Sequence, residues 1–92
     1  MSQEYLAEAI GSLIFFATVL STNDPWIVGI GLMIGIIIAQ KLSARGHLNP
    51  GVTTMMVANG TIDKSTASRY IIAQLIGAIA AVYLVKRVSK QN

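Results

Sequence analysis

The chain alternates between long apolar runs and short polar breaks. The first run extends from about Tyr5 to Leu20 and the second from about Trp26 to Leu42, separated by Ser21, Thr22, Asn23, Asp24 and Pro25. Asn-Asp-Pro is strong turn chemistry, so the two runs read as separate helices, over about 5–21 and 26–42. At about 1.5 Å per residue each reaches roughly 25 Å, near the short end of what crosses a hydrocarbon core about 30 Å thick. Tyr5 and Trp26 sit where the aromatic belt of a membrane helix belongs. A third run, about Ala67 to Val85, follows the polar stretch Thr61, Asp63, Ser65 and Thr66, in which Asp63 or Ser65 can cap a helix. Lys86 and Arg87 close that helix at an interface, which places it at about 66–87.

Between the second and third runs lies an irregular stretch. Val52 to Ala58 is too apolar for a solvated loop and too short to span. Asn49 supplies a capping side chain and Pro50 a first-turn proline, the preferred start for a helix. Asn59 and Gly60 end it, so a helix over about 50–59 covers roughly 15 Å, half of a membrane. Such a half-helix is tolerated at membrane depth only where protein or a water-filled cavity covers its end. Small residues recur one turn apart on the longer runs: Ala7 with Gly11, Gly31 with Gly35, Gly77 with Ala81. They permit close helix contact. The expected fold is all-α, with three transmembrane helices and one re-entrant half-helix, forming one unit over residues 1–92.

Composition strengthens this reading. Of 92 residues, 53% are hydrophobic and 12% charged, far from the roughly one-quarter charged residues of soluble domains. Glu4 and Glu8 near the start argue against a cleaved signal peptide and for a retained span. The absence of cysteine removes disulfides, thiolate metal sites and sulfur nucleophiles, and a single histidine makes a multi-His site improbable. No nucleophile, base and orienting group fall at a workable spacing, and no phosphate-cradling glycine loop occurs. The sequence therefore predicts no enzyme, no catalytic residue, no metal, no cofactor and no nucleic-acid partner. It predicts a multi-pass integral membrane protein whose partners include lipid.

The motifs point further. Ala7-Glu8 with Gly11, the stretch HLNPGVT at 47–53, and Ala73-Gln74-Leu75-Ile76-Gly77-Ala78 resemble, in order and spacing, signatures of the aquaporins and glycerol facilitators, the major intrinsic proteins. The resemblance covers nearly the whole chain but one repeat of the two that a typical member holds in inverted orientation. It implies a passive channel for water and for small neutral solutes such as glycerol. Asn49, Pro50 and Gly51 form the pore motif, His47, Ile30 and Val52 fall at lining or filter positions, and Glu8 and Gln74 support the re-entrant loop. Three departures bear on selectivity. Gly51 stands where alanine is usual after Asn-Pro, Val52 where the second repeat of the family has an arginine, and Ile30 where it often has an aromatic.

One copy holds one half-helix, so a complete pore calls for a second copy entering from the opposite side. The side carrying the 43–64 loop has four basic residues (Lys41, Arg45, Lys64, Arg69) and the other has three (Lys86, Arg87, Lys90), so orientation is almost unbiased. The expected assembly is an antiparallel homodimer with the two Asn49 residues at the midplane. The family habit of grouping four pores would make eight chains. Other residues have plainer readings. Arg45 is a solvated or lipid-facing arginine or a guard of the entrance, Lys86, Arg87 and Lys90 are an interfacial anchor, and Met55 and Met56 are apolar filling. His47 either faces the lumen or bonds within the loop. Asn59-Gly60-Thr61 is a glycosylation sequon too close to the bilayer to serve. Two alternatives stay open: a holin-like membrane-lesion protein, which needs neither Asn49 nor Pro50, and a non-conducting fragment of a longer channel.

Overall fold

The computed structural model describes residues 2–90, and among these it contains four helices and no strand. Helix α1 spans Gln3–Ser21, α2 Pro25–Lys41, α3 Pro50–Ala58 and α4 Lys64–Lys90. Each break has a local cause. Asp24 caps α2 by accepting from Trp26 N–H at 2.9 Å, with Pro25 in its first turn. Asp63 caps α4 by accepting from Thr66 N–H at 2.8 Å, so of the two candidate caps Asp63 is the one used, and the helix starts at Lys64 rather than near residue 66. The Thr66 backbone N–H, and then its hydroxyl, hold the Asp63 carboxyl below the usual carboxylate range. Gly60, at φ +78°, supplies the left-handed turn between α3 and α4.

α1 lies in the middle, with α2 against one flank and α4 against the other, and α3 packs on α4. Small residues set both crossings. Gly11 and Gly35 face each other so closely that a Cβ on Gly35 would stand 2.6 Å from the Gly11 carbonyl oxygen. One turn pair away, Gly31 is seated on Thr18, whose hydroxyl is satisfied by the Ile14 carbonyl at 2.9 Å. On the other flank a Cβ on Gly77 would stand 2.6 Å from the Ala9 carbonyl. The buried seam of α4 is Ala67, Tyr70, Ala73, Gln74, Gly77 and Ala81, spaced by three and four residues.

The opposite faces are uncovered and apolar. Ile30, Met33, Ile34 and Ile37 on α2 and Ile72, Leu75, Ile76 and Ile79 on α4 are all at least two-fifths exposed. A contiguous surface of that kind calls for lipid or another apolar partner. By length and composition α1 and α4 can each cross a membrane, while α2, also apolar, has 17 residues. The body measures 45 × 28 × 21 Å, and its long axis matches a bilayer of about 40–45 Å with headgroups.

Candidate functional site

The 42–49 segment joins α2 to α3, and most of its backbone donors find acceptors within the protein. Ala44 N–H reaches the Ala39 carbonyl at 2.8 Å, and Arg45 N–H reaches the Tyr70 hydroxyl at 3.1 Å. Gly46 N–H donates to Glu8 Oε2 at 3.1 Å and Leu48 N–H to Glu8 Oε1. Glu8 is fully buried, so one carboxyl on α1 accepts from two loop amides that would otherwise face an apolar medium. The loop bends through three left-handed residues, Ser43 (φ +80°), Gly46 (φ +77°) and Leu48 (φ +59°), and only one is a glycine. Leucine in that region costs of order 1 kcal/mol. Its side chain offsets the strain: Leu48 is wholly buried, with its two methyls in the space left by Gly11 and Gly35.

A second layer of polar contacts ties the loop and α3 to α4. Gln74 Nε2 donates to Glu8 Oε1 at 3.2 Å and to Thr53 Oγ1 at 2.8 Å. Thr53 Oγ1 also pairs with His47 Nδ1 at 2.9 Å. The His47 ring lies against Tyr70 at 5.0 Å between centroids, and Tyr5 meets Tyr70 edge-on at 5.7 Å. Glu8, His47, Thr53, Tyr70 and Gln74 are all buried. They form one connected brace behind α3. Gln74 Oε1 has no protein partner among the described residues, so it is the amide's donor end that holds the brace.

At the tip, Asn49 Oδ1 accepts from Gly51 N–H at 2.6 Å, which caps α3. That bond occupies the side-chain oxygen and leaves the Nδ2 donors turned away from the helix. Asn49 and Gly51 are exposed, and Pro50 and Val52 are half-buried. α3 has nine residues, a length of about 13 Å, and its amino end carries the positive end of its dipole.

The structure thus gathers Glu8, His47 and Gln74 behind the half-helix, and Asn49, Pro50, Gly51 and Val52 at its tip. Ile30 stands apart on α2, 50% exposed. His47 is 7% exposed and bonded to Thr53 on α3. Three residues that shape the site, two in the brace and one in the loop, were not singled out from the sequence. Thr53 lies inside the HLNPGVT motif, four residues past the cap, and Tyr70 lies on the small-residue seam of α4. Leu48 gave no signal, since its role depends on two glycines that are distant in sequence.

A short helix turned back among long apolar helices, with its entry loop satisfied by buried side chains, defines a membrane protein of the re-entrant class. The family model described as major intrinsic protein matches residues 1–92, and the chain belongs to that family. Its members are integral membrane proteins, and its aquaporins are passive channels rather than enzymes. Glycerol uptake facilitator protein-like 6 of Lactiplantibacillus plantarum is 43% identical over 94 residues, covering 91% of this chain and 43% of the relative. Aquaporin Z of Rhodopseudomonas palustris is 36% identical, covering 90% and 40%, and aquaporin TIP2-1 of Arabidopsis thaliana is 38% identical, covering 92% and 41%. The chain therefore spans about two-fifths of the length of these relatives. No solved structure matches it.

Proposed function

We propose that two copies of this chain, inserted antiparallel, form a passive transmembrane pore for water and for small neutral solutes such as glycerol. In this reading α1, α2 and α4 are three spans of a multi-pass unit, and the paired unit completes the two-repeat plan of the family. The carrying observation is the tip of α3: its cap bond ties up Asn49 Oδ1 and leaves the amide donors of an exposed side chain at the mouth of a half-helix.

Chemically, that tip suits neutral acceptors. A water or alcohol oxygen can take a hydrogen bond from Asn49 Nδ2. Cations and protons meet the positive end of the α3 dipole, a known means of excluding them from a narrow pore. Two copies related by a two-fold axis in the membrane plane bring the two tips together at mid-depth. The basic residues, four on one side and three on the other, support insertion in both orientations. Ile30 and Val52 line the constriction, which is less polar than one built from an arginine and an aromatic. His47, buried and held by Thr53, steadies α3 from behind its tip.

Stopped-flow volume changes of proteoliposomes test this. Water flux above that of empty vesicles, with slower glycerol entry and low proton leak, is the expected result. Asn49→Asp places an anion at the tip and should raise proton leak while leaving a lesion-type protein unaltered. Vesicles as tight to both solutes as empty ones would count against any channel, and would favour a non-conducting fragment.

A further inference from the structure

On the flank of α4 away from α3, a groove runs between α1 and α4. It encloses about 460 Å³ and is lined by Tyr5, Leu6, Ala9, Arg69, Ile72 and Ile76 among others. At 100° per residue, Arg69, Ile72 and Ile76 lie about 140–160° around α4 from Gln74, the residue that holds α3. The groove thus faces outward from the re-entrant unit. Ile72 and Ile76 also line an adjoining hollow that reaches Ala80, so the apolar track follows α4 from Arg69 to Ala80, about 16 Å.

The track is polar at one end only. Arg69 is exposed, and its guanidinium carbon stands 5.8 Å over the Tyr5 ring, which is itself fixed edge-on against Tyr70. Among the described residues no carboxylate forms an ion pair with it. Arg69 lies five residues into α4, at the end that begins with Lys64, where the headgroup boundary of a bilayer falls. A positive, planar donor set at the interface above a narrow apolar track has the polarity of a phospholipid with the signs reversed.

The geometry points to a specific site for an anionic phospholipid, with its phosphate on Arg69 and one acyl chain lying along Leu6, Ala9, Ile72 and Ile76. The guanidinium fork matches phosphate oxygens in a way an ammonium does not. The Tyr5 ring holds that fork in place by cation–π contact, so little side-chain freedom is lost on binding. An anionic lipid is favoured over a zwitterionic one because no choline competes for the phosphate and the chain carries net charge +3. The inference requires that the chain sit in a bilayer, and is independent of whether two copies make a pore.

Native mass spectrometry of the full chain, delipidated in detergent and titrated with phosphatidylglycerol, phosphatidylcholine or glycerol phosphate, is the test. One phosphatidylglycerol per chain should be retained preferentially over phosphatidylcholine, with no retention of the free headgroup. Arg69→Ala should weaken retention about tenfold or more, the scale of a charge-assisted hydrogen bond. Ile76→Trp, which fills the track and spares the arginine, should also weaken it, whereas Arg87→Ala at the opposite interface should leave it within about twofold. Because Arg69 and Ile76 are both exposed, neither change disturbs the buried seam. Equal loss from Arg69→Ala and Arg87→Ala, equal retention of both lipids, retention of glycerol phosphate alone, or occupation of the groove by a second copy of the chain would each overturn the assignment.

Discussion

At the α1–α2 crossing, Gly11 and Gly35 bring two backbones together by fit, with the apolar side chains of Leu48 and Ala39 filling the space beside them. In the re-entrant loop the same chain uses the opposite means: Glu8, Gln74, Thr53, His47 and Tyr70 form a buried network that reaches three backbone amides and the α3 helix. The difference follows from what each region lacks. A helix meets its own backbone hydrogen bonds, so two helices need only shape to pack in lipid. A loop has no internal ladder, so at membrane depth its amides must be met by other parts of the protein or by water. The two devices meet at Leu48, whose amide belongs to the network and whose methyls belong to the crossing.

Substitutions can separate the two devices. The largest effect is expected from Gln74→Glu, which leaves at most one donor where the amide had two and sets a second carboxyl against buried Glu8. A loss of about 3–5 kcal/mol is expected in equilibrium unfolding in detergent. Next comes Gly35→Ala, whose Cβ would press on the Gly11 carbonyl at 2.6 Å and on Leu48. Because backbone atoms oppose it, about 1–3 kcal/mol should be lost. If Gly35→Ala proves the more damaging, the crossing rather than the network is the main determinant of stability.

Thr53→Val sharpens the comparison at nearly constant volume. It deletes the hydroxyl shared by Gln74 and His47 and should cost about 1–2 kcal/mol, with hydrogen exchange rising in the 44–53 segment and not at the α1–α2 crossing. The smallest effect lies outside both devices, at the α4 cap. Asp63 has a lowered pKa in the folded chain, so its contribution is present above the ordinary carboxylate range and is lost as pH falls through the folded value. Asp63→Asn keeps a capping oxygen and should flatten the acid limb of stability against pH while changing neutral stability little.

The helices, the half-helix and the small-residue pairs could be read from the chain because their causes are local: breaks at Asn23-Asp24-Pro25, a cap and proline at Asn49-Pro50, and glycines one turn apart. Element ends shifted by up to three residues, most at α4, where the Asp63 cap starts the helix at Lys64 and the last turn continues to Lys90. The candidate site was legible where a motif carried it, at Asn49, Glu8 and Gln74. Tyr70 and Leu48 were not, because what they touch is set by chain segments 25 and 37 residues away, Arg45 from Tyr70 and Gly11 from Leu48. Leu48 is the sharper case, since a leucine before Asn-Pro gives no sign that its backbone is left-handed.

The central claim, that a complete pore is made by antiparallel copies, is tested most directly by orientation. The chain has no cysteine, so Asn23→Cys places a single thiol in the exposed α1–α2 turn. Labelling that thiol with a membrane-impermeant maleimide on sealed vesicles, before and after permeabilisation, counts the copies facing each way. The near-balance of basic residues predicts that about half are labelled from outside. Labelling of all copies, or of none, before permeabilisation would contradict the account.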